Sequence, residues 1–212
     1  MPANSIVNHG FCTLNQDHEP AAISKTVVVI GAPRGGTTMV AGCLAHLGVY
    51  MGENLSATYE DSELARVFLL DRDLRNLDEI IKRRDEQHQT WGWKIPAAIS
   101  TLKKWSKRLR APHYVVVFRD LLAVANRNRI SARWDLIDSI LANQDYYAKV
   151  SSFLKNNKSP ALLVSYEKAI GDPEHFVREL ASFINLGSVA QRQNAIGFIK
   201  PNSHPYLDEA KP

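Results

Sequence analysis

Residues 26–47 restrict the fold of this chain more than any other stretch. Thr26-Val27-Val28-Val29-Ile30 is a β-branched run without polar alternation, the pattern of a strand buried on both faces of a parallel sheet. It stops at Gly31. The loop that follows, Ala32-Pro33-Arg34-Gly35-Gly36, is too rich in glycine and proline to extend it. From Thr37 the period changes. Val40, Cys43, Leu44 and Leu47 fall at i, i+3, i+4 and i+7, one face of a helix, and Gly48 is placed to end it. A strand, a glycine loop and a helix in direct succession leave the first backbone N–H groups of the helix without partners, and an anion satisfies them.

The rest of the chain repeats the alternation. A long helix is expected from near Asp61-Ser62, with Leu70, Leu74, Leu77 and Ile81 as its buried stripe. Trp91 to Lys94 reads as a short strand stopped by Pro96, and Ile99 to Arg108 as a helix with a basic outer face. His113 to Phe118 is a second clear strand, followed by helices from about Leu121 and from Asp135 to Asn156. Ala161 to Val164 is a third strand, and Asp172-Pro173 opens a helix with proline at its first position. Alternating strands and helices predict a three-layer α/β/α fold with a central parallel sheet. Residues 1–24 are polar and aperiodic and read as a flexible arm, leaving 25–212 as a single α/β domain. Ligands of such sheets bind outside the carboxyl ends of strands, which directs attention to Gly31, Lys94 and Arg119 onward.

Composition narrows the ligand. A net charge of +4 suits an anion but is too small to argue for nucleic acid. The two cysteines, Cys12 and Cys43, make no disulfide framework. The N-terminus lacks a basic start followed by an apolar core, and no run approaches a membrane span. A soluble cytoplasmic protein is the expectation.

Residues 31–38 match the phosphate-loop pattern G-x-x-x-x-G-K-[ST] at Gly31, Gly36 and Thr38, with Thr37 in place of the lysine. That lysine normally reaches the outer phosphates of a nucleotide triphosphate. The nearest cation here is Arg34, whose planar guanidinium can grip two oxygens of one group. The His113–Phe118 strand ends in Arg119 rather than in a metal-holding aspartate. Arginines at these positions point to metal-free chemistry on a less charged group.

Pro33-Arg34-Gly35-Gly36-Thr37-Thr38 resembles the 5′-phosphosulfate loop of the sulfotransferases that use 3′-phosphoadenosine-5′-phosphosulfate (PAPS), P-[KR]-[ST]-G-T-[TS], with Gly35 where that family has serine or threonine. The strand YVVVF followed by Arg119 resembles its 3′-phosphate element, with Arg127 at the position of its serine. GWKIP places Lys94 where the family keeps a lysine, and Pro96 where its cytosolic branch keeps a histidine base. SATYEDSELARV resembles the segment of bacterial members that carries a glutamate base, here Glu60. The resemblance implies a P-loop nucleotide-hydrolase-like sulfotransferase fold. It also implies a PAPS donor with no metal, and in-line transfer of a sulfuryl group to a hydroxyl or amine of a small-molecule or carbohydrate acceptor.

On that reading Glu60 takes the acceptor's proton, with Glu53 and Asp61 as rivals. Lys94 and Arg34 neutralise the charge that builds during transfer. The loop amides with Thr37 and Thr38 hold the 5′ side, and Arg119 with Arg127 the 3′-phosphate. Two other functions compete: a P-loop kinase or nucleotide hydrolase with an unusual loop, and a catalytically silent nucleotide-binding protein.

Overall fold

The computed structural model describes residues 8–16, 23–71 and 75–199. Five strands form one sheet: β1 (Phe11–Leu14), β2 (Lys25–Gly31), β3 (Thr90–Lys94), β4 (Pro112–Phe118) and β5 (Ala161–Ser165), in the order β1-β5-β4-β2-β3. β2 pairs in parallel with β3 on one side and β4 on the other, and β5 is parallel to β4. The chain leaves β2 for the neighbour on one side and then crosses to the other, so the strand order reverses at β2. The carboxyl end of β2 is therefore where a crevice opens.

The alternating side chains of the strands feed two cores. Val27, Val29, Val115 and Val117 face α1 (Thr37–His46), α7 (Tyr166–Gly171), α8 (Pro173–Ile184) and α9 (Val189–Phe198). Val28, Ile30, Trp91, Trp93 and Val116 face α2 (Ser62–Arg66), α3 (Arg75–Gln87), α4 (Leu102–Trp105) and α6 (Leu136–Asn156). α5 (Leu121–Ala132) packs on α6. This is the three-layer arrangement expected from the alternation. The predicted helix face of α1 is fully inside, with Val40, Cys43 and Leu44 at 0% exposure.

Three expectations change. Within the segment read as an arm, Phe11–Leu14 forms a strand antiparallel to β5, its register running from Phe11 opposite Val164 to Leu14 opposite Ala161. The helix expected from Asp61 breaks after Arg66 into a π-helical turn at Val67–Asp71, and α3 starts afresh at Arg75. The break lets α3 return toward α2, where Arg84 reaches Asp61 at 2.8 Å and Arg83 reaches Glu63 at 2.6 Å. Leu77 and Ile81 are buried as predicted, while Leu74 lies outside the described residues. The helix expected over 99–108 divides into a 3₁₀ turn (Pro96–Thr101), the short α4 and a second 3₁₀ turn (Ser106–Arg108). Local polar bonds compete there: the Ser100 and Thr101 hydroxyls donate to the carbonyls of Ala97 and Ala98, each at 3.2 Å.

Both edges of the sheet are covered in part. β1 covers β5. On the far side Tyr50 meets β3 alone: its N–H donates to Thr90 O at 3.3 Å, and Gly92 N–H donates to Tyr50 O at 2.9 Å.

Candidate active site

A cavity of about 250 Å³ opens at the carboxyl ends of β2, β3 and β4. The loop after β2 supplies Pro33, Arg34, Gly36, Thr37 and Thr38 to its wall, β3 supplies Lys94, and the end of β4 supplies Arg119. Thr58, Glu60 and Pro96 complete it. The predicted site residues from four separate stretches of chain thus meet in one place.

The loop is held in an unusual backbone shape. Arg34 has φ +65 and Gly36 φ +92. A left-handed arginine is disfavoured by its own Cβ and persists only where neighbours fix it. Its carbonyl accepts a hydrogen bond from Arg119 Nη1 at 2.9 Å, which ties the loop to the end of β4. At Gly36 a Cβ would stand 2.1 Å from the Tyr166 ring, so glycine is required by space as well as by φ. Gly35 is also explained: its N–H is spent on Ala32 O at 2.8 Å, and a Cβ there would lie 2.7 Å from that same oxygen. Of the loop amides expected to hold the 5′ side of a donor, the Gly35 N–H instead closes the turn.

Thr37 and Thr38 open α1, whose N-cap Gly36 offers no side-chain acceptor. The Thr38 hydroxyl donates to Thr58 O at 3.3 Å. That bond joins the helix start to a small loop knotted on Ser56, whose N–H donates to Glu60 O at 3.0 Å and whose Oγ accepts from Glu60 N–H at 3.1 Å. The knot aims the Glu60 side chain at Lys94, whose Nζ donates to Glu60 Oε1 at 2.7 Å. Lys94 is 2% exposed and Glu60 30%. Burial pushes the Lys94 pKa down; the hydrogen bond and charge of Glu60 oppose this, and the nearby Arg34 cation adds to it. The ammonium thus sits beside its counter-ion in a place that favours release of its charge.

Arg119 is fixed from three directions. The Tyr147 hydroxyl accepts from Arg119 N–H at 3.0 Å and donates to Arg119 O at 3.1 Å. Its guanidinium lies over the Tyr166 ring at 4.4 Å, a cation–π contact. Its Nε is buried and meets no acceptor among the described residues. The next residue, Asp120, caps α5, its carboxylate accepting from Ala123 N–H at 2.8 Å. Arg127, two turns along α5, stands off the cavity wall. Of the rivals to Glu60, Asp61 caps α2 and is sealed against Arg84, and Glu53 is exposed and away from the cavity. The late residues Lys200 and Asn202 lie outside the described residues.

No protein-family model matches the chain, and no curated protein matches it. Solved structures do. The sulfotransferase domain of the olefin synthase from Synechococcus PCC 7002 superposes with a TM-score of 0.57 at 19% identity, over 92% of this chain and 82% of that one. The sulfotransferase STF9 from Mycobacterium avium gives 0.55 at 13% identity, over 92% and 75%. STF1 from Mycobacterium tuberculosis H37Rv gives 0.52 at 13% identity, over 84% and 72%. The chain has a sulfotransferase fold.

Within this sulfotransferase fold, several residues that shape the site escaped the sequence reading. Tyr146 donates to Pro96 O at 3.2 Å and also meets the Gly31 backbone, pinning the ends of β3 and β2 together. Burial pushes its pKa up, which keeps the hydroxyl protonated as a donor. Tyr147 holds Arg119, Tyr166 lies under it, and Thr58 ties the Glu60 loop to α1. The available signal was the adjacent pair Tyr146-Tyr147 on α6, since consecutive helical residues point about 100° apart and can serve two neighbouring strand ends. Among the described residues no helix is long and apolar enough to cross a membrane.

Proposed function

We propose that this protein is a sulfotransferase that takes PAPS as donor and transfers its sulfuryl group, without a metal, to a hydroxyl or amine of a small-molecule or carbohydrate acceptor. The observation that carries the reading is the convergence of Arg34, Thr37, Thr38, Glu60, Lys94 and Arg119 on one cavity. The fit to the donor rests on the same wall. A helix start with two threonines and an arginine suits an anionic group, and the buried Arg119 Nε, which meets no acceptor among the described residues, suits a second. At about 250 Å³ the cavity falls below the roughly 300–1,000 Å³ of a pocket that encloses a whole small molecule, so it matches the phosphosulfate end. The adenosine end would extend along α5, where Arg127 follows Arg119 as the next cation.

The donor supplies an activated sulfuryl group; the chain supplies position, charge and a base. Glu60 Oε1 is engaged by Lys94, leaving Oε2 to take the acceptor's proton. Lys94 and Arg34, both on the cavity wall, neutralise the negative charge that grows on the transferring group and the leaving phosphate. The threonine-bearing helix start and Arg119 hold the nucleotide in line with the acceptor.

Thermal unfolding with adenosine 3′,5′-bisphosphate, compared with ATP plus Mg²⁺, tests this. Ligand at about 100 times its Kd adds roughly 2.7 kcal/mol, a rise of about 5–10 °C for a chain of this size. A rise with ATP–Mg²⁺ alone would overturn the reading in favour of a kinase-like protein. Binding of the bisphosphate without sulfate transfer to any acceptor class would favour a silent nucleotide-binding protein.

A further inference from the structure

The opposite end of the sheet carries a larger concavity, of about 650 Å³, at the amino ends of β4 and β5. Its floor is apolar: Leu109, Tyr114 and Phe153 are nearly fully buried, and the Tyr114 and Phe153 rings meet edge to face at 4.9 Å. Its rim is basic. Lys103 and Lys107 come from α4 and the turn after it, and Lys158 from the connection between α6 and β5. No carboxylate is part of the lining, and none of the three lysines makes an ion pair among the described residues.

The Lys158 side of the rim is braced. Asn157 Nδ2 donates to Ser159 O at 2.6 Å, and Ser159 N–H donates back to Asn157 Oδ1 at 3.2 Å. Asn15, just beyond β1, donates to the carbonyls of Asn157 at 3.1 Å and Ser159 at 3.3 Å. The turn that carries Lys158 is thereby fixed to the sheet edge. The opposite wall is fixed by burial of Leu102 and Trp105, which leaves Lys103 and Lys107 facing out from a packed helix. Three like charges gathered around an apolar floor repel one another unless an anion lies among them.

We propose that this concavity is a second binding site, for a small organic anion: a sulfonate, sulfate, phosphate or carboxylate group meets Lys103, Lys107 and Lys158, and an aromatic or other planar apolar body lies against the half-buried Pro112 and the aliphatic stems of the lysines, above the buried Tyr114 and Phe153. It is separated from the Glu60–Lys94 cavity by the length of the strands, so the two sites fill independently. Lysine ammonium groups on flexible stems adapt to several anion geometries, so the class of acid is less restricted than the requirement for an apolar body.

Fluorescence titration of the full chain with 8-anilinonaphthalene-1-sulfonate, an aryl sulfonate, tests the site. The expected result is saturable binding at one site that weakens as salt is raised. In a Lys103→Glu/Lys158→Glu variant the Kd should rise about tenfold or more, while in Arg34→Ala it stays as in the wild type. Equal affinity in the double variant, loss of binding in Arg34→Ala, or unsaturable binding at many places would each overturn the proposal. Both lysines are exposed, so the melting temperature should not move. Should the charge-reversed variant fail to fold, Lys103→Ala/Lys158→Ala gives the same readout.

Discussion

Glu60 and Asp61 follow one another in the chain, and each carboxylate meets a cation at nearly the same distance, 2.7 Å to Lys94 and 2.8 Å to Arg84. Their surroundings separate them. Asp61 and Arg84 are 3% and 4% exposed; the aspartate also caps α2, accepting from Leu64 N–H at 2.8 Å, and the guanidinium lies 5.4 Å from the Trp91 ring. In the other pair only the lysine is sealed, and the glutamate keeps 30% of its side chain open toward the cavity. A pair closed on both sides holds helices together. A pair closed on one side leaves a carboxylate open to whatever enters the cavity.

The comparison breaks most visibly at Glu60. On the proposed function, Glu60→Gln keeps an oxygen for Lys94 but removes the proposed base, so sulfate transfer to a reactive acceptor should fall by about 10²–10⁴ with the melting temperature nearly unchanged. Full activity in the variant would remove Glu60 from the base role. Asp61→Ala should do the reverse. Arg84 would keep only the half-exposed Glu63, at 3.1 Å, as a carboxylate partner, so the loss should lie between the ~1 kcal/mol of a surface pair and the roughly 3–5 kcal/mol of a buried pair broken outright, read as a lower denaturant midpoint, with the proposed transfer activity kept in the folded fraction. A loss below about 1 kcal/mol, the worth of a surface pair, would show that the sealed pair is not closed in solution.

The smallest effect is a pH dependence on the sealed side. His88 stacks on Tyr50 with ring centroids 3.7 Å apart. Burial first, and then the Arg84 charge, lower its pKa from the ordinary 6.5. The folded chain therefore binds this proton less readily than the unfolded chain. The associated stability is present above pH 6.5 and is lost as pH falls from there through the lowered folded value. His88→Phe keeps the stacking, so its stability should fall less than the wild type's over that window; identical acid limbs would exclude His88 as the source.

How much of this could be read in advance differs between elements for physical reasons. β2, α1 and β4 were legible because each carries a continuous apolar run or a full helical stripe, and Arg34 and Arg119 because they stand at the ends of those runs. β1 was not, since Phe11–Leu14 is short, exposes its middle residues and depends on β5, some 150 residues away, for its partner. The break between α2 and α3 was hidden for a similar reason: the stripe of leucines continues through it, and only the return of Arg84 to Asp61 shows why the chain must turn. Glu60 and Asp61 look alike as letters. The difference lies in partners 34 and 23 residues downstream, on a strand and a helix that the local pattern does not connect.

The two short segments at the borders of the sheet have a consequence for how copies of this protein behave when crowded. A parallel sheet with bare borders would present rows of unsatisfied amides, a template on which another chain's strand can add. Here Tyr50 occupies part of the β3 border with a pair of backbone bonds, and β1 replaces the β5 border with a run of only four residues. Deleting residues 8–16 should therefore show first as concentration-dependent turbidity, before any loss at the far-off cavity.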